Sequence, residues 1–427
     1  MINPTSLMYK PLVATLYYLL NAVFWLCFSN ASMAVEMPKA SQWQGDIDVY
    51  VEQLEQKHIH LFHSISKKAF DKDVEQLKAQ LHTLSESQIL VRLMRLTNSI
   101  GDGHSSFPLW GGIAHKFPIR LRAINRKLYV EQATNAYQSL LGSELIAIDG
   151  VAIGIVIEAL SKIVPFAENP YSTLVRVAQY MTIAEVLNGE GFINENYSSE
   201  FSFKKEAHLI KETLTAAEKQ SFQFTLSIDN PVSEHKVQEV NESLWFSSSY
   251  DKKSVYVKFE RYADLQTMDS FSHALLDFIE LNQSKSVILD LRNNYGGDFF
   301  SGLKIAQYLV RADSLNWRNG IFTLINNKTF SAAMSNAAQF KQLLNAELVG
   351  EPTGAKPSGY QDMGEFVLPH SKRVVTYSKR MYKFLDTEDD AIYPDVSIEM
   401  TIGDYKTNND KQLEYVLEKV EWRRQKF

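Results

Sequence analysis

A single cysteine, Cys27, occurs among the 427 residues. One thiol excludes an intramolecular disulfide, a four-cysteine zinc site and a Cys-x-x-Cys redox pair. A basic excess is also missing: 44 Lys and Arg stand against 50 Asp and Glu, a formal charge of −6. Binding nucleic acid through an overall field needs a basic face, so no nucleic-acid partner is expected. The nucleotide fingerprints are absent, because no glycine cluster has the P-loop or dinucleotide spacing. No Gly-x-Ser-x-Gly elbow occurs either, which rules out an ordinary α/β-hydrolase. Ser64-Ile65-Ser66-Lys67 matches Ser-x-x-Lys, but no Lys-Thr-Gly accompanies it, so a penicillin-interacting enzyme is not indicated.

What is present is an ordinary globular composition, 45% hydrophobic and 22% charged, long enough for two or three domains. Pro11 to Phe28 is an 18-residue, mostly apolar run that follows Lys10, and Ser32-Met33-Ala34 supplies small residues for cleavage after Ala34. That layout is a secretory signal over residues 1–34, with an uncleaved anchor as the competing reading. Its removal takes away Cys27, so a thiol protease is excluded and covalent catalysis must use an oxygen or nitrogen nucleophile. No other stretch is apolar enough to cross a bilayer. The expected product is periplasmic or extracellular, with no stable membrane anchor once the signal is cleaved. The sequence specifies no oligomeric state.

Ser41 to Asn98 reads as helices with apolar residues at three- and four-residue steps, capped by Asp46 and by Ser85 with Gln88 three residues on. His58, His60 and His63 crowd together there, but no carboxylate has fitting spacing, so a polar helix face is the preferred reading over a metal site. Short strands follow at Ile119–Ala123, Lys127–Gln132 and Ser143–Ile148, the last ending in the turn pair Asp149-Gly150, then a helix over Val156–Val164. Residues 165–242 are expected to hold helices at Ser172–Leu187 and Ala216–Gln220 and a strand at Phe222–Ile228. From Ser254 strands and helices alternate, with Val287–Leu291 a continuous apolar strand, which predicts an α/β layer of crossover units. Two hairpin strands (Glu365–Leu368, Arg373–Tyr377) and a helix over Asp410–Arg424 close the chain.

Two strand-to-helix turns could carry chemistry. In Asp290-Leu291-Arg292-Asn293-Asn294-Tyr295-Gly296-Gly297 the adjacent glycines allow close backbone approach, and amides at a helix start favour negative charge. In Thr329-Phe330-Ser331-Ala332-Ala333, Ser331 falls at a helix start. As an N-cap it needs no chemistry; as a nucleophile it would expose Oγ and offer a developing oxyanion the Ala332 N–H. Two polar loops hold candidate bases, His104 in Gly101-Asp102-Gly103-His104 and Lys356 in Gly350-Glu351-Pro352-Thr353-Gly354-Ala355-Lys356.

Taken in order, Gly101-Asp102-Gly103-His104-Ser105, Leu289 to Gly297, Thr329 to Ala333, Gly350-Glu351-Pro352-Thr353 and Tyr393-Pro394-Asp395-Val396 resemble the C-terminal processing (tail-specific) serine peptidases, which include tricorn-type relatives and retinoid-binding modules. The resemblance covers about residues 250–398 and extends to 41–110. It implies an α/β fold with a crotonase/Clp-protease-like core, a polypeptide substrate, no metal and no cofactor. Ser331 matches the nucleophile, and Gly296, Gly297 and Ala332 match the oxyanion hole. One branch of the family uses a lysine 25 residues after the serine, here Lys356. The other uses the histidine of the Gly-Asp-x-His turn oriented by a glutamate, here His104 and Glu388. Both sets are present, and the base stays open between them. The implied layout is a signal over 1–34, a helical region over 35–110, and a β-rich module over 111–165 that is either a degenerate PDZ-like domain or a simple β module. A variable region over 166–245, a catalytic core over 246–400 and a C-terminal helix over 401–427 complete it. An inactive peptide- or ligand-binding protein on the same fold is the rival reading.

Overall fold

The computed structural model describes residues 39–233, 236–385 and 388–422. The segment expected to be a signal, residues 1–34 with Cys27, lies outside them. Three helices lead: α1 (Ala40–Lys57), α2 (Lys67–Gln80) and α3 (Glu86–Asn98). Ser85 caps α3 in a full capping box with Gln88, as its spacing predicts. Asp46 does not cap a helix. It is buried on α1, and its two oxygens accept the His370 and Ser371 N–H groups, each at 2.8 Å. The three clustered histidines lie in the turn after α1 and not on the helix itself.

The first sheet is antiparallel, ordered β1-β2-β3-β5-β6, with β4 on β3 and β7 on β2. Its strands are β1 (Ile119–Ile124), β2 (Lys127–Ala133), β3 (Glu144–Ile148), β4 (Val151–Ala152), β5 (Ser198–Lys205), β6 (His208–Thr215) and β7 (Phe224–Thr225). Between β4 and β5 run α4 (Ile153–Leu160), α5 (Pro170–Tyr180) and α6 (Ala184–Gly189). The expected helix over Ser172–Leu187 is therefore two, separated where Thr182 and Ile183 pair with Lys116 and Phe117. No helix forms over 216–220, because Ala217 bridges to Lys116 instead. The expected strand over 222–228 shrinks to the two residues of β7.

The second sheet holds β8 (Lys236–Asn241), β9 (Leu244–Ser248), β10 (Ser254–Phe259), β11 (Ser286–Asp290), β12 (Ile321–Ile325), β13 (Glu347–Gly350) and β16 (Val396–Ser397), in the order β16-β13-β12-β11-β10-β9-β8. Strands β10 to β13 and β16 are parallel; β8 and β9 are antiparallel. The crossovers are α7 (Leu265–Asn282), α8 (Phe299–Leu309) and α9 (Ala332–Leu344). A parallel sheet must be covered on both faces. Leu289, Ile305 and Met334 lie in the core on the crossover side, while Ile288, Phe322 and Val349 pack under α11 (Lys411–Lys419), which follows the short α10 (Ile402–Lys406). A long hairpin, β14 (Ser358–Val367) and β15 (Val374–Lys383), reaches back to the first half. Its Phe366, Leu368 and Val375 join the core built by α1–α3 and the first sheet. The observed class is mixed α/β with N-terminal helices. No helix among the described residues is long and apolar enough to cross a membrane.

Candidate active site

Ser331 follows β12 and sits at the N-cap position of α9, but its hydroxyl caps nothing. The backbone there has φ 52° and ψ −127°, a conformation that costs a non-glycine residue about 1–3 kcal/mol. Neighbouring bonds hold it in place. Phe330 N–H donates to Asn294 O at 2.9 Å, Thr329 Oγ1 donates to Leu291 O at 3.0 Å, and Gly354 N–H donates to Thr329 O at 3.0 Å. The turn thus swings Oγ away from the helix amides. It lies 2.8 Å from His104 Nε2.

His104 is 3% exposed and comes from the loop after α3. Asp102 shapes that loop: its Oδ1 accepts the N–H groups of His104 (3.1 Å) and Ser105 (2.7 Å) and the Ser378 hydroxyl (2.6 Å). Its Oδ2 faces His58 Nε2 at 3.0 Å and His63 Nε2 at 3.4 Å. Burial opposes ionisation of Asp102, but the hydrogen bonds from His58, His63 and Ser378 outweigh it and hold the carboxyl well below its usual range. The ring of His104 stacks on Phe330, centroids 5.5 Å apart.

On the far side of the imidazole is Glu168, which precedes α5. Its Oε1 lies 3.1 Å from His104 Nδ1, within ion-pair distance, although the angle misses hydrogen-bond alignment and both atoms are buried with no other hydrogen-bond partner. Unliganded active sites often show such loose geometry. The other oxygen, Oε2, accepts the Lys356 N–H at 2.9 Å. Gly103 makes room for this carboxylate, since a β-carbon there would collide with the Glu168 side chain.

Of the residues singled out from sequence, Ser331, His104, Gly296, Gly297 and Ala332 converge. Gly296 has φ 96°, and a β-carbon on it would fall 2.8 Å from Ser331 Cβ and 3.0 Å from Ala332 N. Its N–H is already donated to Asn294 Oδ1 at 2.9 Å, whereas the Gly297 and Ala332 amides make no hydrogen bond among the described residues. Lys356 is exposed and reaches the site only through its backbone; its ammonium makes no bond to Ser331. Glu388 is exposed and makes no contact with His104. The carboxylate beside His104 Nδ1 is that of Glu168 instead. No sequence signal marked it, because it lies in the irregular stretch before the Asn169 cap of α5.

His58 Nε2, His63 Nε2 and Asp102 Oδ2 lie within 4.8 Å of one another, close enough to share a cation. The hydrogen bonding argues against that use. His58 Nδ1 accepts the His60 N–H at 2.9 Å, which places its proton on Nε2, and a metal-bound nitrogen must be unprotonated. The cluster serves Asp102.

Residues 253–398 match the profile of peptidase family S41. Among solved structures, mature CPAF complexed with lactacystin matches with a TM-score of 0.60 at 10% identity, over 90% of this chain and 98% of that one. The photosystem II D1 C-terminal processing protease matches with a TM-score of 0.42 at 14% identity, over 83% and 93%. No curated protein matches the sequence. The similarity to peptidase family S41 is thus confined to residues 253–398, and the likeness to CPAF is one of fold.

Proposed function

We propose that the protein is an exported serine endopeptidase in which Ser331 is the nucleophile, His104 the general base and Glu168 the group that orients it. The observation that carries this reading is the 2.8 Å approach of His104 Nε2 to a serine hydroxyl withheld from its own helix. As Oγ attacks the scissile carbonyl, its proton passes to Nε2, and Glu168 stabilises the imidazolium from the Nδ1 side. The oxyanion is received by the Ala332 and Gly297 amides, with Gly296 providing the room. Collapse breaks the C–N bond, and Nε2–H protonates the departing amine. Water, deprotonated by the same nitrogen, then hydrolyses the acyl-enzyme. Histidine suits this role because only a modest shift places its pKa at neutral pH. Lys356 offers the site only its backbone N–H, donated to Glu168 Oε2.

The second sheet is read as the crotonase/Clp-like core over about 246–400, and the first sheet as containing the β-rich module. Export rests on the segment 1–34; N-terminal sequencing of the secreted protein should begin after Ala34. The mechanistic test is labelling by a serine-directed fluorophosphonate. Wild type and Lys356→Ala should label, and Ser331→Ala should not. His104→Ala should slow labelling by at least about 100-fold. An unlabelled wild type overturns the peptidase mechanism, and loss of labelling in Lys356→Ala alone returns the base to lysine.

A further inference from the structure

Beside the proposed catalytic groups lies a concentration of positive charge that the mechanism does not use. Arg176 of α5 is partly buried and lies over three aromatic rings: Phe166 (5.4 Å), Tyr295 (4.5 Å) and Phe330 (5.5 Å). Its Nε donates to Phe166 O at 3.3 Å and its Nη1 to Gln179 Oε1 at 3.0 Å, but no carboxylate pairs with it among the described residues. Phe330 precedes the nucleophile and stacks on His104, and Tyr295 precedes Gly296. Tyr295 in turn accepts Gln179 Nε2 at 2.7 Å. One layer of rings therefore separates this guanidinium from the reacting groups.

Gln179 also lines a cavity of about 410 Å³, into which Lys116, Arg120, Arg122 and Lys328 face. A single carboxylate, Glu131, lines it, and Arg122 is bonded to that group. Lys328 stands three residues before Ser331, and its ammonium makes no hydrogen bond or ion pair among the described residues. It lines the larger cavity of about 670 Å³ as well. Burial and the nearby Arg122 guanidinium, with Arg176 adding to the repulsion, bring Lys328 down to about 8 against the attraction of Glu131 and Glu260. Like charges gathered in a partly desolvated space repel strongly, and a bound anion relieves them. Apolar groups make up much of the remaining wall, including Trp110 and Val175, beside the polar Gln179 and Thr182. Such a lining accepts a peptide stem and pairs with a charge at its tip.

We propose that this cavity is a specificity subsite for a carboxylate of the substrate, borne by an Asp or Glu side chain near the scissile bond or by the end of the peptide, with Lys328 as its principal partner. The assignment rests on the peptidase reading above for its position beside the scissile bond. Binding to the cavity does not need turnover, so the two claims can be tested apart.

Fluorescent peptides are prepared in matched sets: one with Glu near the centre, the same with Gln, and each with a free or amidated C-terminus. Their affinities are measured on Ser331→Ala, and kcat/KM is measured on wild type, Lys328→Met and Lys328→Arg. Charge-bearing peptides should be preferred over neutral ones by about tenfold or more in both measurements. The ratio should approach unity in Lys328→Met and recover in Lys328→Arg; a ratio within one variant cancels any general loss of activity. Preference following the Glu/Gln pair assigns the side chain, and preference following the amide assigns the chain end. Equal treatment of charged and neutral peptides by wild type overturns the subsite, as does a preference that survives Lys328→Met. Binding preference on Ser331→Ala without any turnover by wild type leaves the subsite standing and sinks the peptidase reading.

Discussion

Ser331 joins a high-energy backbone to a short contact with His104, and the two are linked. With ordinary helix-entry dihedrals its hydroxyl would turn to the α9 amides; at φ 52° it is presented to His104. Glycine tolerates positive φ, so Ser331→Gly should abolish labelling yet leave the protein as stable as wild type or more so, by up to about 1 kcal/mol. Thermal unfolding in parallel with labelling checks this, and a clear drop in melting temperature would argue that no strain is stored there. The reverse change at Gly296 should do harm on both counts. A β-carbon would sit 2.8 Å from Ser331 Cβ and 2.9 Å from Phe330 O at φ 96°. Gly296→Ala should therefore lose labelling and destabilise by roughly 1–3 kcal/mol.

At the scale of elements, the Gly101–Ser106 loop owes its shape to one carboxylate. Asp102 gathers two backbone N–H groups, the Ser378 hydroxyl from β15 and two histidines. Asp102→Asn should leave part of this set unsatisfied, destabilise by about 2 kcal/mol at neutral pH, and lower labelling by moving His104. The sign of the pH effect follows from the depressed carboxyl. Its contribution is fully present above the unfolded value near 4 and is lost as pH falls below that toward the folded value. Urea titrations between pH 5 and 2 should show wild type losing stability more steeply than Asp102→Asn, with the two converging at the acid end. Parallel curves would remove Asp102 from the acid response.

Elements also differ in how far they could be read from sequence, for reasons of burial. Strands β10 to β13 are apolar and almost wholly buried, so their runs and the helices between them stood out. Strands β6 and β8 are sheet edges with mostly exposed residues, and edges carry charge to avoid pairing with other chains, which erases the alternation. Glu168 was hidden differently, in an irregular stretch whose partner His104 comes from a distant loop. Asp46, inside α1, and Asp102, in the loop after α3, each have partners hundreds of residues away, at His370, Ser371 and Ser378, and local spacing cannot report such contacts. Ser331 and His104 were legible because each sits in a short polar turn between regular elements. Their pairing across 227 positions stood in the sequence only as one of two alternatives, beside Lys356.

That pairing makes the site a property of the whole molecule. Ser331 and the Gly297 and Ala332 amides lie in the turns of the second sheet, while His104 and Glu168 belong to the first half, ahead of and among the strands of the first sheet. The halves are joined by more than the site. Hairpin residues Phe366, Leu368 and Val375 complete the N-terminal core, and Asn169 Nδ2 donates to Thr353 O at 2.9 Å and Asp390 O at 2.8 Å. Residues 236–427 contain the whole S41 segment, Ser331 and Lys356, yet lack both partners of the imidazole path. If His104 is the base, this fragment should not label with fluorophosphonate. It should also bind a hydrophobic dye through the uncovered hairpin face. Co-expression with residues 35–233 should restore labelling as the two cores close on each other. Labelling of the isolated fragment at the wild-type rate would mean that Ser331 is activated from within its own half, which would leave Lys356 as its base.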